Sequence, residues 1–393
     1  MPPFPSALSE TPLFAKQWTL TDADNAWLTL TDPSGAERRI LDCVSTYGAV
    51  NFGHRNPEID PFGAARADLA PYFQPAEGEL FAQWLRDRLD LPEHRALYQI
   101  GGSFAVSTAI ALAQHRRPGT VVVVRGGYHG LGVDTVAMSE SRPGVLQHTD
   151  FVSDLEARIL TIRPGEVPTD WRGISAFLYE PVQGANGYVP LDVDWLRECA
   201  TSAAQAGVTV IADEIQAGFY RHGSLSPSMA LSLHPDILLF GKSMTNGLFP
   251  LSVIFYDRRF EETFPGRHAL MHTFQTSALG MYAAWAVARY LDRVPQTEPV
   301  ARIAAQLDVA AGRLADRPGA SPVFRVGPVL SFAMPDKYAV ELVDRALCCG
   351  LLLLTGAGGT RVRIAPPLTM EPLLLDRALA HVVELVDALL EGK

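Results

Sequence analysis

"DILLFGKSMTNG", residues 236–247, runs a short apolar stretch straight into a glycine and a lysine. A continuous run of four to eight apolar residues between turn signals reads as a strand buried on both faces. Lys242 at its end is the anomaly. A buried ammonium is costly unless it is neutralised, paired or put to chemical use. Taken singly, Gly-Lys after a strand is more often a loop lysine reaching solvent, so its neighbours must decide.

Outward from this stretch the same texture repeats. "ALYQI" precedes the helix-like "SFAVSTAIALAQHRR", and "TVVVV", "ISAFLYEP", "VTVIADE" and "LSVIFY" read as further strands. "VDWLRECATSAAQAG" has helical spacing and a glycine stop. Buried strands interleaved with helices imply a mostly parallel sheet covered on both faces, an α/β fold. In such sheets ligands sit beyond the carboxyl ends of the strands. Glu180, Asp213 and Lys242 each stand at or just after an apolar strand. Near the start, "NAWLTLTDPSGAERRILD" alternates apolar and polar residues around a turn and reads as an antiparallel hairpin.

From about residue 285 the pattern changes. "MYAAWAVARYLDRV" reads as a helix, "VLSFAM" and "RVRIAP" as strands, and "LLLDRALAHVVELVDALLEG" as a closing helix. The expected organisation is a large domain over 46–285. A smaller α+β domain is expected from an N-terminal segment, 1–45, and a C-terminal one, 286–393.

Composition narrows the function classes. The chain has 393 residues, is 48% hydrophobic and 19% charged, and carries a net charge of −10, which argues against disorder. Its acids are scattered, and no basic footprint for nucleic acid or anionic membrane is present. Cys43, Cys199, Cys348 and Cys349 show no CxxC spacing, so reduced core thiols are expected rather than a metal or disulfide site. "MPPFPSALSE" lacks the basic and apolar regions of a signal peptide, and no apolar run approaches the ~20 residues of a membrane helix. A cytoplasmic protein is expected.

Three stretches carry chemistry. "GGSFAVSTAIALA", 101–113, opens a helix with glycines and a serine, where free N–H groups hold a phosphate, although an ordinary serine cap reads the same way. Asp213 closes an apolar strand, where a carboxylate needs a partner; a protonated ring nitrogen is one, a turn or ion pair another. Lys242 follows one strand later, and an amine in a dry cleft forms a Schiff base with an aldehyde.

With these in order, the chain resembles the class III aminotransferases, pyridoxal-phosphate enzymes of fold type I. The matching stretches are "GGYHG" (126–130), "YEPVQGANGY" (179–188), "IADEIQAGFYRHG" (211–223), "PDILLFGKSMTNG" (235–247), "HTFQTSALG" (272–280) and "VRIAPPL" (362–368). The resemblance implies that Lys242 forms the Schiff base with pyridoxal 5'-phosphate and moves protons, and that Asp213 partners the pyridine nitrogen. Gln216 falls near the phenolic oxygen, Tyr128 stacks on the ring with His129 beside it, and Gly102 and Ser103 form the phosphate cup. Glu180 is the motif acid near the cofactor. Thr273 matches a threonine that reaches the neighbouring subunit's phosphate, which implies a homodimer with shared sites. Arg363 matches the arginine that grips a substrate carboxylate, with Arg361 on the same strand face. The implied partners are an amino donor and a keto or aldehyde acceptor.

Three departures stand against the pattern. Phe104 replaces the acid usual in the phosphate motif. Ala185 stands where many relatives carry an acid that masks the arginine. The chain is also short for the class, which suggests an open cleft. The leading expectation is amino transfer through Lys242. One rival keeps the cofactor but performs elimination, carbon–carbon bond formation or an amino shift in specialised biosynthesis. Another is a non-catalytic regulator on the same fold, against which the intact Lys242/Asp213 pair argues.

Overall fold

In the computed structural model, which describes residues 18–32, 34–59, 74–139, 154–263, 272–275 and 277–392, the chain opens with an antiparallel meander. Its strands are β1 (Thr19–Asp24), β2 (Trp27–Thr31) and β3 (Glu37–Asp42). The β2–β3 turn is held by Asp32, whose Oδ1 accepts the N–H groups of Ser34 (2.9 Å) and Ala36 (3.0 Å). Then come helix α1 (Ala76–Leu89), β4 (His94–Gln99), α2 (Gly102–Arg116), β5 (Thr120–Val124), β6 (Ile159–Ile162) and β7 (Ile174–Tyr179). A small hairpin, β8 (Val182–Gln183) and β9 (Val189–Pro190), precedes α3 (Val193–Gln205), β10 (Thr209–Asp213), β11 (Ile237–Phe240) and β12 (Ser252–Asp257).

Seven of these strands form one sheet in the order β4-β12-β11-β10-β7-β5-β6. The run β11-β10-β7-β5-β6 is parallel throughout, and β12 alone runs against its neighbours β11 and β4. Its apolar strands are continuous rather than alternating because both faces are covered. Val121 and Val123 pack under α2 with Ile211, Leu239 and Ile254, while Val122 and Val124 join the opposite cluster with Phe177, Val210 and Phe240.

The remainder is α4 (Ala278–Arg293), α5 (Thr297–Ala315), β13 (Val323–Val326), β14 (Val329–Ala333), α6 (Asp336–Cys348), β15 (Leu351–Leu352), β16 (Leu354–Gly356), β17 (Arg361–Ile364) and α7 (Pro372–Leu390). β13-β14-β17-β16 form a second sheet, and β15 adds in parallel to β3, so the two ends of the chain share a sheet. No helix among the described residues is long and apolar enough to cross a membrane.

One expectation fails. Cys43 and Cys199 are buried, but Cys348 and Cys349 are exposed at the end of α6 and are not core thiols. The helix ends there before Gly350 (φ +83°), and Cys348 and Cys349 face outward while Ala346 and Leu347 of the same turn are buried.

Candidate active site

Parallel strands end on one side, and four adjacent ends build the cluster. β10 ends in Asp213, β7 is followed by Glu180, β11 by Gly241 and Lys242, and β5 by the loop carrying Tyr128 and His129. β4 runs the same way as these four, so α2 starts on that side as well. Gly102, Ser103, Tyr128, His129, Glu180, Asp213 and Lys242 therefore converge from five separate segments.

At the helix start, Gly101 (φ +78°) turns the chain, and the first intrahelical bond runs from Ala105 N–H to Gly101 O at 3.3 Å. The N–H groups of Gly102, Ser103 and Phe104 lie ahead of that bond, in the geometry that receives an anion. Gly102 presses on the loop after Asp213, where a Cβ would lie 3.0 Å from Ile215 Cδ1. Ser103 Oγ accepts the N–H of Leu131 at 3.2 Å, and a Cβ on Gly130 would fall 2.3 Å from that oxygen. The cradle is thus closed by glycines on two sides.

Asp213 is 4% exposed. Its Oδ2 lies 2.9 Å from His129 Nδ1, and its Oδ1 accepts the N–H of Ile215 at 3.2 Å. His129 Nε2 is buried without a partner. Glu180 is also buried, with Oε2 accepting Tyr128 N–H at 2.8 Å and Oε1 accepting Gly184 N–H at 3.3 Å. Burial pushes the Glu180 carboxyl up to about 7; the His129 charge and the two N–H bonds pull it down, and Asp213 pushes it up.

Lys242 holds a left-handed backbone, φ +45°, which is sparsely populated for a residue with a side chain and is typical of strained functional positions. Burial lowers its amine from 10.5 to about 8, with Arg363 adding to the fall and Glu180 and Asp213 opposing it. The sequence holds four lysines, at 16, 242, 337 and 393, and Lys242 is the one that follows a strand of the seven-stranded sheet.

Gln216 donates Nε2 to Tyr47 O at 2.8 Å, and its Oε1 occupies the space of a missing side chain, 1.4 Å from where a Cβ of Gly184 would stand. Arg363 on β17 is 6% exposed and donates Nη1 to Gly184 O at 3.1 Å. The rings of Tyr47 and Tyr188 flank its guanidinium at 5.7 and 5.8 Å. Its Nε has no partner, and no carboxylate pairs with it among the described residues. Arg361 turns instead onto Phe324, 4.7 Å from the ring.

Two residues were not anticipated. Tyr47 lies in a run in which Ser45, Thr46, Tyr47 and Gly48 all have positive φ (46°, 49°, 59° and 72°). Arg221 is fully buried and donates to Ser45 Oγ, Asn51 Oδ1, Pro328 O, Ala365 O and Pro366 O at 2.9–3.3 Å. It ties the left-handed run to the segment that follows Arg363. Thr273 stands apart, exposed beside His272, whose imidazole reaches Gln99 Oε1 at 2.5 Å and lies 5.9 Å from the ring of Phe104. Phe104 itself is 60% exposed on the single chain.

A buried amine, a fixed strand-end carboxylate and a glycine-lined helix start suit one cofactor chemistry, that of an aldehyde carrying a phosphate and a basic ring. The fold is that of the fold type I transaminases. An amine transaminase from an uncultivated Pseudomonas species, solved in its PLP-bound form, matches with a TM-score of 0.83 over 97% of this chain and 96% of that one, at 23% identity. The sequence profile described as Aminotransferase class-III matches residues 12–386, and the chain belongs to the class III aminotransferases, which work with pyridoxal phosphate. Among curated relatives, the acetylornithine aminotransferase of Gloeobacter violaceus is 28% identical over 374 residues, 87% of this chain and 88% of that protein. The ornithine aminotransferase of Oceanobacillus iheyensis is 26% identical over 265 residues, 63% of this chain and 65% of that protein.

Proposed function

We propose that this aminotransferase exchanges an amino group between two carboxylate-bearing partners, an amino acid donor and an oxo-acid acceptor, with Lys242 holding the cofactor. The observation that carries this reading is the Lys242 amine, set behind a parallel strand and facing two carboxylates. Pyridoxal phosphate supplies the aldehyde that takes up the amino group and the ring that accepts the electron pair left at the substrate carbon. Lys242 would hold the aldehyde carbon and then move the proton between substrate and cofactor carbons. Asp213, kept in orientation by His129 and the Ile215 N–H, would keep the ring nitrogen protonated. The N–H groups of Gly102 and Ser103 would bind the phosphate, Tyr128 would cover the ring and Gln216 would face its phenolic edge. Glu180 would brace the Tyr128 loop. Thr273 would reach the phosphate of a second subunit.

Arg363 would bind the substrate carboxylate. A guanidinium buried between two aromatic rings without an acid has donors left for an anion. Ala185 offers no acid to mask it, so the arginine remains available in both half-reactions. Arg363→Lys is expected to lower kcat/KM for carboxylate-bearing donors by about 10²-fold, since a bidentate clamp becomes a point charge. Turnover of an amine without a carboxylate would be unaffected; an equal loss for both would sink the assignment.

The Lys242 amine must be neutral to capture an aldehyde. With its pKa near 8, reconstitution of apoenzyme is expected to accelerate about tenfold per pH unit below 8 and level off above it. A midpoint near 10.5 would mean an ordinary exposed lysine.

Amino transfer itself is tested by adding one amino acid at a time to the holoenzyme without acceptor. A stoichiometric change in cofactor absorbance, reversed by an oxo acid, supports it. Repeated turnover of one substrate with no acceptor would support elimination or an amino shift instead.

The match of Thr273 to a threonine that reaches the neighbouring subunit's phosphate supports a homodimer; equilibrium sedimentation would read its mass. The pairing of β15 with β3 supports a small domain built from 1–45 and 286–393 around a large domain, 46–285. A cytoplasmic location is part of this proposal, and cell fractionation would check it.

A further inference from the structure

Glu180 touches two parts of the site that have no other reason to move together. One oxygen, Oε2, accepts the backbone N–H of Tyr128 at 2.8 Å, in the loop after β5 whose aromatic ring is assigned above to the cofactor. The other, Oε1, accepts the N–H of Gly184 at 3.3 Å, in the turn between β8 and β9. The carbonyl of that same Gly184 accepts Arg363 Nη1 at 3.1 Å. It also closes the turn, accepting Gly187 N–H at 3.1 Å and Tyr188 N–H at 3.4 Å. Tyr188 in turn flanks the Arg363 guanidinium.

We infer that Glu180 is a positioning residue, a carboxylate strap that fixes the substrate-carboxylate clamp at Arg363 relative to the cofactor-covering loop at Tyr128. The inference rests on the assignment of Arg363 and Tyr128 given above. Its chemistry follows from acceptor count. An ionised carboxylate offers acceptors on both oxygens, and two backbone N–H groups use one each. A protonated carboxyl keeps one full acceptor, and its O–H oxygen accepts the second N–H only weakly. A carboxamide loses that second acceptor altogether, because its nitrogen only donates. The strap therefore exists in full only while Glu180 is charged.

The groups facing it set that charge. His129 approaches from the β5 loop, Asp213 from the end of β10 and Lys242 from the end of β11, with Arg363 beyond Gly184. Burial raises the carboxyl to about 7, so the strap is complete above that pH and half broken below it. As pH falls through 7, Arg363 loses its fixed distance from the reacting carbon, and KM for carboxylate-bearing donors rises.

The most direct test is amide hydrogen exchange at Tyr128 and Gly184 in the apoenzyme, which needs no turnover. In the parent, raising the pH from 6 to 8 is expected to slow exchange at one or both amides, after correction for intrinsic rates. In Glu180→Gln one of the two amides is expected to stay about tenfold less protected at every pH, the loss of one charge-assisted bond. Unchanged exchange at both amides would overturn the strap whatever the enzyme's reaction. In the holoenzyme, Glu180→Gln is expected to raise KM for a carboxylate-bearing donor about tenfold, with kcat little changed and the KM rise near pH 7 abolished. Added to Arg363→Lys, the same substitution should then have little further effect on KM. Full additivity would show that Glu180 acts elsewhere, and a parent that transfers no amino group would defeat the functional assignment while leaving the exchange result to stand.

Discussion

Lys242→Ala is expected to lower kcat by about 10⁴-fold or more while leaving the fold intact. Positioned proton transfer contributes ~10²–10⁴ to an enzymatic rate, and the loss of covalent capture adds to it. No neighbour can substitute. Asp213, Glu180 and Arg363, the charged groups nearest it, have no amine with which to capture the aldehyde. Alanine also removes a group that the folded protein holds unfavourably. The folded amine sits near 8 and the free one at 10.5, so the unfolded chain binds the proton more tightly. That penalty is fully present below about pH 8 and fades as pH rises toward 10.5. The Tm of the apo variant at neutral pH should therefore equal or exceed the parent's, and the backbone at φ +45° strains alanine no more than lysine. A folded variant retaining a tenth of parental activity would remove Lys242 from the chemistry.

Asp213→Asn carries the second large effect. The carboxamide keeps the shape of the side chain and one acceptor for the Ile215 N–H or for His129. It loses the charge that would hold the ring nitrogen protonated. Two unit charges about 4 Å apart interact by ~4 kcal/mol at an effective dielectric near 20, which corresponds to roughly 10³ in rate. The expected result is a fall of that order in kcat at saturating cofactor, with weaker cofactor binding. Asp213→Glu, which keeps the charge but moves it, should recover part of the loss. A variant with normal kcat and only weaker cofactor binding would restrict Asp213 to holding the ring.

Much of this site is readable in the sequence because strand-end chemistry is local. Asp213 and Lys242 each follow an apolar run that only a two-face-covered strand requires, and Gly101–Gly102 announce a helix start. What is not readable depends on pairings between distant segments. Tyr47 lies beside Arg363 because three non-glycine residues adopt left-handed backbone together, against local preference. They are held there by Gln216 and by Arg221, whose own partners come from residues 45–51, 328 and 365–366. Arg221 reads as a loop cation until those partners are in place. Glu180 is visible as a motif acid, but its two N–H donors sit 52 residues before it and 4 after it, on different turns. The exposure of Cys348 and Cys349 is a similar case, since apolar neighbours in sequence do not reveal which way a helix end faces.

The central claim, that Lys242 carries the cofactor through amino transfer, is tested most directly by borohydride reduction followed by peptide mass spectrometry. Reduction of the holoenzyme should fix one pyridoxyl group per chain on Lys242, among the four lysines at 16, 242, 337 and 393. Prior treatment with a carboxylate-bearing amino donor should abolish that label, and subsequent addition of an oxo acid should restore it. A label on another lysine, or one that no donor removes, would contradict the account.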